Sequence, residues 1–297
     1  MTAILRQSTP SDAVDCLKIG GVASAAISPL LDGPIQPAEV IGSFPVAVYL
    51  RTAAGVVSLV GPGGVRLPNA IALSGAGHAI AGRHAGNSQI LVGDGGARVG
   101  PVHVVARRWW DPVPKLGRSD ASLLGGRLNA ARAALPGWPE PTDPAADRLR
   151  AGRAALASVL AGAGDLAGAV QGLVGLGAGL TPAGDDLLSG AMAGLVVFGT
   201  ALKQQDALAL AASMRQAVAE HAGGTTPLAA DLADHAARGA LVQPAANLCR
   251  AIGSKRPDAD RLWKPALERL LRLGHTSGHD LAEGLLLSAS NVIGRTY

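Results

Sequence analysis

The sequence predicts an α+β protein: a small antiparallel β domain over residues 1–115, a proline-rich connection over 116–145, and an all-helical domain over 146–297. Three observations carry this reading. Short Val- and Ile-rich runs separated by glycine turns fill the N-terminal part. Prolines then crowd the chain at Pro112, Pro114, Pro136, Pro139, Pro141 and Pro144. Beyond them, Ala and Leu recur at helical spacing with no alternation of strand and helix, which disfavours a doubly wound sheet.

The strand runs are FPVAVYL (44–50), VVSLV (56–60), VRLPNAIAL (65–73), QILV (89–92) and VHVVA (102–106). GPGG at 61–64 and GDGG at 93–96 separate them, and Asp94-Gly95 is a hairpin signal. A barrel and a sandwich both fit this pattern. Within the connection, 119–135 reads as a helix; the rest suits an ordered loop or a flexible linker equally.

After Pro144 the helices follow in order. Asp143 caps the first, with Pro144 at its first position and Leu149, Leu156, Val159 and Leu160 on one face; Arg148, Arg150 and Arg153 fall off that face. Further helices are expected over 183–198, 204–222, 227–239, 243–252, 258–272 and 278–289, with Pro265 interrupting or restarting the one over 258–272. Hydrophobic residues make up 48% of the 297 and aromatics only 3%, so the core must be built from Ala, Leu and Val. With 40 glycines, close backbone approach is expected to matter.

The motif GLVGLGAGLTPAGDDLLSG (172–190) holds the chemistry. Thr181 reads as a helix cap with Pro182 in the first turn, and Asp185 and Asp186 follow at the head of a helix that is apolar on every side. Acids favour a helix start, yet the capping-box position is occupied by Gly184, so a box does not explain Asp185. Two adjacent carboxylates at the rim of a core need a cation, an arginine or several N–H donors opposite them. The glycines at 175, 177 and 179 do not match the dinucleotide pattern; they suit an anion-accepting backbone concavity or a punctuated helix end.

Two later segments share this grammar. In GGTTPLAADLADHAARG (223–239), Thr225 or Thr226 caps a helix that begins with Pro227. In LGHTSGHDLAEGLLL (273–287), Ser277 and Asp280 form a capping box, and His275 lies in the preceding loop, free to bond a ligand or move a proton. A zinc site on His275 and His279 is disfavoured because the cap falls between them, and His279 with Glu283 reads as a surface pair. Three helix starts could converge on one anion, or be three ordinary caps.

Other features bound the function. The net charge of +4 is mild and no basic stripe exists, which excludes nucleic acid and leaves room for a small anionic substrate. Cys16 and Cys249 are far apart and read as reduced thiols in a cytoplasmic protein, with a single disulfide as the alternative. Charges at Arg6, Asp12, Asp15 and Lys18 break any signal-peptide core, and the apolar run 187–202 falls short of a membrane span.

Taken together, GLGAGLTPAGDD, GGTTPLAADLADHAARG and LGHTSGHD resemble the family of the AllH-type subunit of oxamate carbamoyltransferase, with a fainter likeness through AVYL (47–50) and WWDP (109–112). The chain carries Ala183, Leu187, Thr276 and Ala229 where that family often has Ser, Phe, Ser and Ser. The resemblance implies a multi-subunit transferase of allantoin or purine-nitrogen catabolism, in which phosphate splits oxalurate into oxamate and carbamoyl phosphate. On that chemistry, Gly177, Gly179, Gly184 and Thr181 would hold phosphate, with Thr225 and Thr226 beside them. His275, Thr276 or Ser277 would serve the developing oxyanion, and Asp280 would line the substrate. Asp185 or Asp186 would accept from, or act as base on, an amide nitrogen. No cofactor follows, although Mg²⁺ on the acid pair is an option. The other readings are a non-catalytic scaffold subunit and a binding module for an anionic metabolite.

Overall fold

The computed structural model describes residues 17–74, 89–137 and 144–294. Asp143, Cys16 and the N-terminal charges up to Asp15 lie outside these residues.

Nine strands form one sheet: β1 (Leu17–Ser24), β2 (Gln36–Pro37), β3 (Glu39–Phe44), β4 (Ala47–Thr52), β5 (Gly55–Val60), β6 (Ala70–Leu73), β7 (Ile90–Gly93), β8 (Gly96–Val99) and β9 (Val102–Trp110). Their order is β2-β7-β8-β9-β1-β6-β5-β4-β3. The two outermost strands, β2 and β3, are separated in the chain only by Ala38, so the sheet is nearly closed. The sheet is mixed, which corrects the antiparallel expectation. β1 runs parallel to β9, and β5 parallel to β6. The correction has a topological cause: 61–69 crosses over between β5 and β6 instead of turning back, and the first and last strands meet at the centre of the sheet. Asp94-Gly95 does make a hairpin between β7 and β8, with both residues at positive φ (49° and 79°), as a type I′ turn requires.

A short helix α1 (Ser28–Leu31) belongs to the sheet half. The helical half comprises α2 (Ala121–Ala133), α3 (Pro144–Leu160), α4 (Leu166–Leu173), α5 (Ala183–Leu202), α6 (Gln205–Glu220), α7 (Pro227–Ala236), α8 (Gln243–Ile252), α9 (Trp263–Leu271) and α10 (Ser277–Gly294). Two cores result. One lies within the sheet around Ile19, Leu50, Leu59 and Val104. The larger is helical, and Leu124, Leu128 and Ala131 of α2 are part of it.

At the centre of the larger core, α5 packs along α10. Their contacts advance in the same direction, from Thr181 against Ser277, through Gly190 against Leu281, to Gly194 against Ser288, so the helices are parallel and start side by side. Small residues set the approach: a Cβ on Gly190 would lie 2.2 Å from the Leu281 carbonyl oxygen, and one on Gly284 2.0 Å from that of Leu187. At 20 residues, α5 is long and apolar enough to cross a membrane, more so than the 187–202 run suggested, but 78% of its apolar window is buried in this core.

Candidate functional site

The starts of α5, α7 and α10 meet, tied by hydroxyl groups. Thr181 Oγ1 lies 3.1 Å from Ser277 Oγ. Thr226 Oγ1 donates to the Leu180 carbonyl at 2.6 Å while accepting from Ala229 N, so it is Thr226 that caps α7. Thr225 Oγ1 donates to Asp185 Oδ2 at 2.7 Å, and the Gly175 N–H donates to the same oxygen at 3.0 Å.

Two expected caps are different. Thr181 does not cap α5; Pro182 holds that position without a side-chain bond, and the Leu176 carbonyl accepts from Gly184 N at 2.9 Å instead. The glycine loop, folding back on the helix start, frees the Thr181 hydroxyl to face Ser277. Nor do Ser277 and Asp280 form a capping box. Ser277 is already inside α10, the backbone carbonyl of Thr276 accepts from His279 N and Asp280 N, and Asp280 turns inward.

Three acids are consequently buried near one another. Asp185 is 2% exposed, with Oδ1 lacking a hydrogen-bond partner among the described residues. Burial pushes its pKa up, against the pull of Thr225 and Gly175. Burial likewise pushes Asp186 up to about 8, opposed by the Ser277 and Thr181 hydroxyls and reinforced by the charges of Asp280 and Asp185. Asp280, fully buried, is pushed up to about 7 by burial, although Arg153 of α3 donates to its Oδ1 at 3.0 Å. Arg153 also pairs with Glu283 at 2.9 Å. The sequence put Arg153 off the apolar face of α3 without giving it a partner; nothing in its spacing announces this buried pairing.

The glycine loop works by conformation. Gly175, Gly177 and Gly179 have φ of 69°, 123° and 92°, which other residues rarely adopt. A Cβ on Gly184 would lie 1.9 Å from the Leu173 carbonyl oxygen. The exposed backbone amides of 177–179 make no hydrogen bond within the described chain. His275 is exposed in the turn before α10 and points at none of the three acids through a hydrogen bond. His279 contacts the Pro136 carbonyl at 2.8 Å.

Beside the acids lies a cavity of about 200 Å³ between the two halves. Thr181, Asp186, Ser189 and Ser277 reach it from the helices, Tyr49 from β4, and aliphatic side chains such as Leu67, Leu228 and Leu241 form the rest. Tyr49 and Ser189 lie in segments the sequence marks, AVYL (47–50) and the motif at 172–190, but neither stands out within them: one is a strand residue, the other sits in an apolar helix. Of the residues named for catalysis and substrate, Thr181, Asp186 and Ser277 line the cavity; Asp185, Thr225 and Asp280 do not, and are held by Thr225–Asp185 and Arg153–Asp280 bonds.

Among the described residues, the three-ligand cluster within 4.8 Å is His279, Asp280 and Glu283, and Arg153 already supplies a positive charge there. The acid pair offers two carboxylates at most, a set that suits a hydrated Mg²⁺ bridging to a ligand and not a closed protein cage. Cys249 is buried, which pushes its thiol up to about 12 and makes it inert.

The segments that converge here are also the ones a family comparison selects: residues 173–289 match the model of the oxamate carbamoyltransferase subunit AllH. The likeness to the AllH family is confined to this stretch. The AllH segment runs from the end of α4 into α10 and contains all three helix starts. It stops short of the sheet, so the likeness at 47–50 and 109–112 gains nothing from it. No curated protein and no solved structure matches the chain.

Proposed function

We propose that the chain is a subunit of a carbamoyltransferase that interconverts oxalurate plus phosphate with oxamate plus carbamoyl phosphate, and that the cavity at Asp186 is its part of the reaction centre. The observation that carries this reading is the coincidence of the AllH segment with the three helix starts around that cavity.

The chemistry follows from the groups present. In the phosphorolytic direction, a phosphate oxygen bonds to the ureido carbonyl carbon, the bond from that carbon to the oxamate nitrogen breaks, and the nitrogen must gain a proton while phosphate loses one. Asp186, held protonated at neutral pH by its burial, is suited to give that proton and afterwards recover the one phosphate releases. The amides of 177–179 immediately precede the lining residues Leu180 and Thr181 in the chain, and would meet the phosphate outside the cavity. Thr181 and Ser277 hydroxyls stand ready for the carbonyl oxygen as it gains charge.

The test is formation of carbamoyl phosphate from oxalurate and phosphate by the chain assembled with its partner subunits. Asp186→Asn in a normally assembled complex is expected to lower turnover by about 10²-fold or more. Full turnover in that variant would discard the role of Asp186. If instead the variant failed to assemble, the scaffold reading would be favoured. Mg²⁺ on the acid pair is a second version of the same proposal; turnover unaffected by a chelator removes it.

A further inference from the structure

Resting on the carbamoyltransfer reading, we infer that the cavity receives the uncharged carbamoyl or primary-amide end of the substrate and leaves its anionic end outside, at the amides of 177–179. Charge and fit both favour this arrangement. Among the described residues no lysine, arginine or histidine lines the cavity. Arg66 precedes the lining residue Leu67 but is not on the wall, and Arg153 is engaged by Asp280 and Glu283. A carboxylate or phosphate entering such a space would lose its hydration against aliphatic walls and an acid, with no cation to meet it.

A primary amide meets no such penalty. The polar residues that line the space, Thr181, Ser277, Ser189, Tyr49 and Asp186, carry donors and acceptors of the kind a neutral N–H and C=O require. Asp186 Oδ2 is buried and has no hydrogen-bond partner among the described residues, so one carboxyl oxygen is left for a ligand. Protonated on that oxygen, the carboxyl can donate its O–H to the carbonyl of a primary amide. The volume of about 200 Å³ admits a group of this size, several water molecules' worth, and not an extended substrate with its hydration shell.

Calorimetric titration of the full chain with oxamide, oxamate and inorganic phosphate separates the possibilities. Oxamide is expected to bind at least about tenfold more tightly than oxamate, and phosphate should not compete with it. Asp186→Leu, similar in volume, should abolish oxamide binding without lowering the melting temperature; Asp186→Asn, which still donates and accepts, should keep it. Oxamate or phosphate binding more tightly than oxamide would overturn the inference, as would oxamide binding that survives Asp186→Leu or fails in the parent chain. The carbamoyltransfer reading is judged separately by turnover in the assembled complex. Turnover there with an anion-selective cavity leaves that reading standing and removes this one.

Discussion

Asp186 carries a cost in the unliganded protein that can be measured. Its carboxyl is free to ionise at about pH 4 when the chain is unfolded but holds its proton to about 8 when folded. The folded state therefore binds more protons between those values, and stability from this group is greatest at low pH and lost as pH rises through the folded value. Asp280, held up to about 7, acts in the same direction. Urea unfolding at pH 5 and pH 8 should show the chain losing at least about 1.4 kcal/mol over that interval, one unit's worth, and Asp186→Asn should flatten the slope. A parent chain equally stable at both values would mean the acid is not buried in solution. Thr225 has a quieter part, as one of two donors to the Asp185 oxygen. Thr225→Val should destabilise by about 1–3 kcal/mol, since the carboxyl stays buried with one donor fewer; a change within error in the same unfolding assay would show that the bond contributes nothing.

Among the elements, the α5–α10 pair is held at a distance only glycine permits. Gly284→Ala would force a methyl against the Leu187 carbonyl and should cost about 1–3 kcal/mol, read as a lower urea midpoint with unchanged slope. Retained stability would mean the helices can part without loss. The helices of this half were legible because apolar residues at helical spacing mark them; 243–252 agrees at both ends with α8. α4 was missed, since eight residues leave too little periodicity to read. β1 was missed because Gly20 and Gly21 interrupt its apolar pattern. The acid pair was legible as a chemical oddity: charges at the head of an all-apolar helix. Its surroundings were not, because Arg153, Tyr49 and Ser189 come from distant or unremarkable positions, and the capping role assigned to Thr181 was taken over by a backbone carbonyl that no local pattern reveals.

For the whole molecule, Asp231 of α7 makes a polar join between the halves. Its carboxylate accepts from Val56 N of β5 at 3.0 Å and from Asn69 Nδ2 at 2.7 Å, while Ser58 Oγ donates to Asn69 at 2.9 Å. His235 stands 3.5 Å away on the same helix. Asp231→Ala leaves the Val56 and Asn69 donors unmet in a buried contact. Calorimetry should then resolve two unfolding transitions where the parent shows one, and binding in the cavity should weaken because Tyr49 and Leu67 reach it only from the sheet side. A single transition at the parent's temperature would show that the remaining contacts, the bond from Gln243 N to the Arg66 carbonyl among them, suffice to couple the halves.

The parallel seam between α5 and α10 has a bearing on synthesis. The two helices are neighbours in space, yet the entire α6–α9 region lies between them in the chain. As the polypeptide leaves the ribosome, α5 emerges with its broad apolar surface long before the helix that covers it exists, and loop closure must await Ser277 onward. A nascent chain stalled ahead of α10 should be a strong client for chaperones that bind exposed aliphatic helices, and the cavity, formed where the two helices begin, can be assembled only once α10 has emerged.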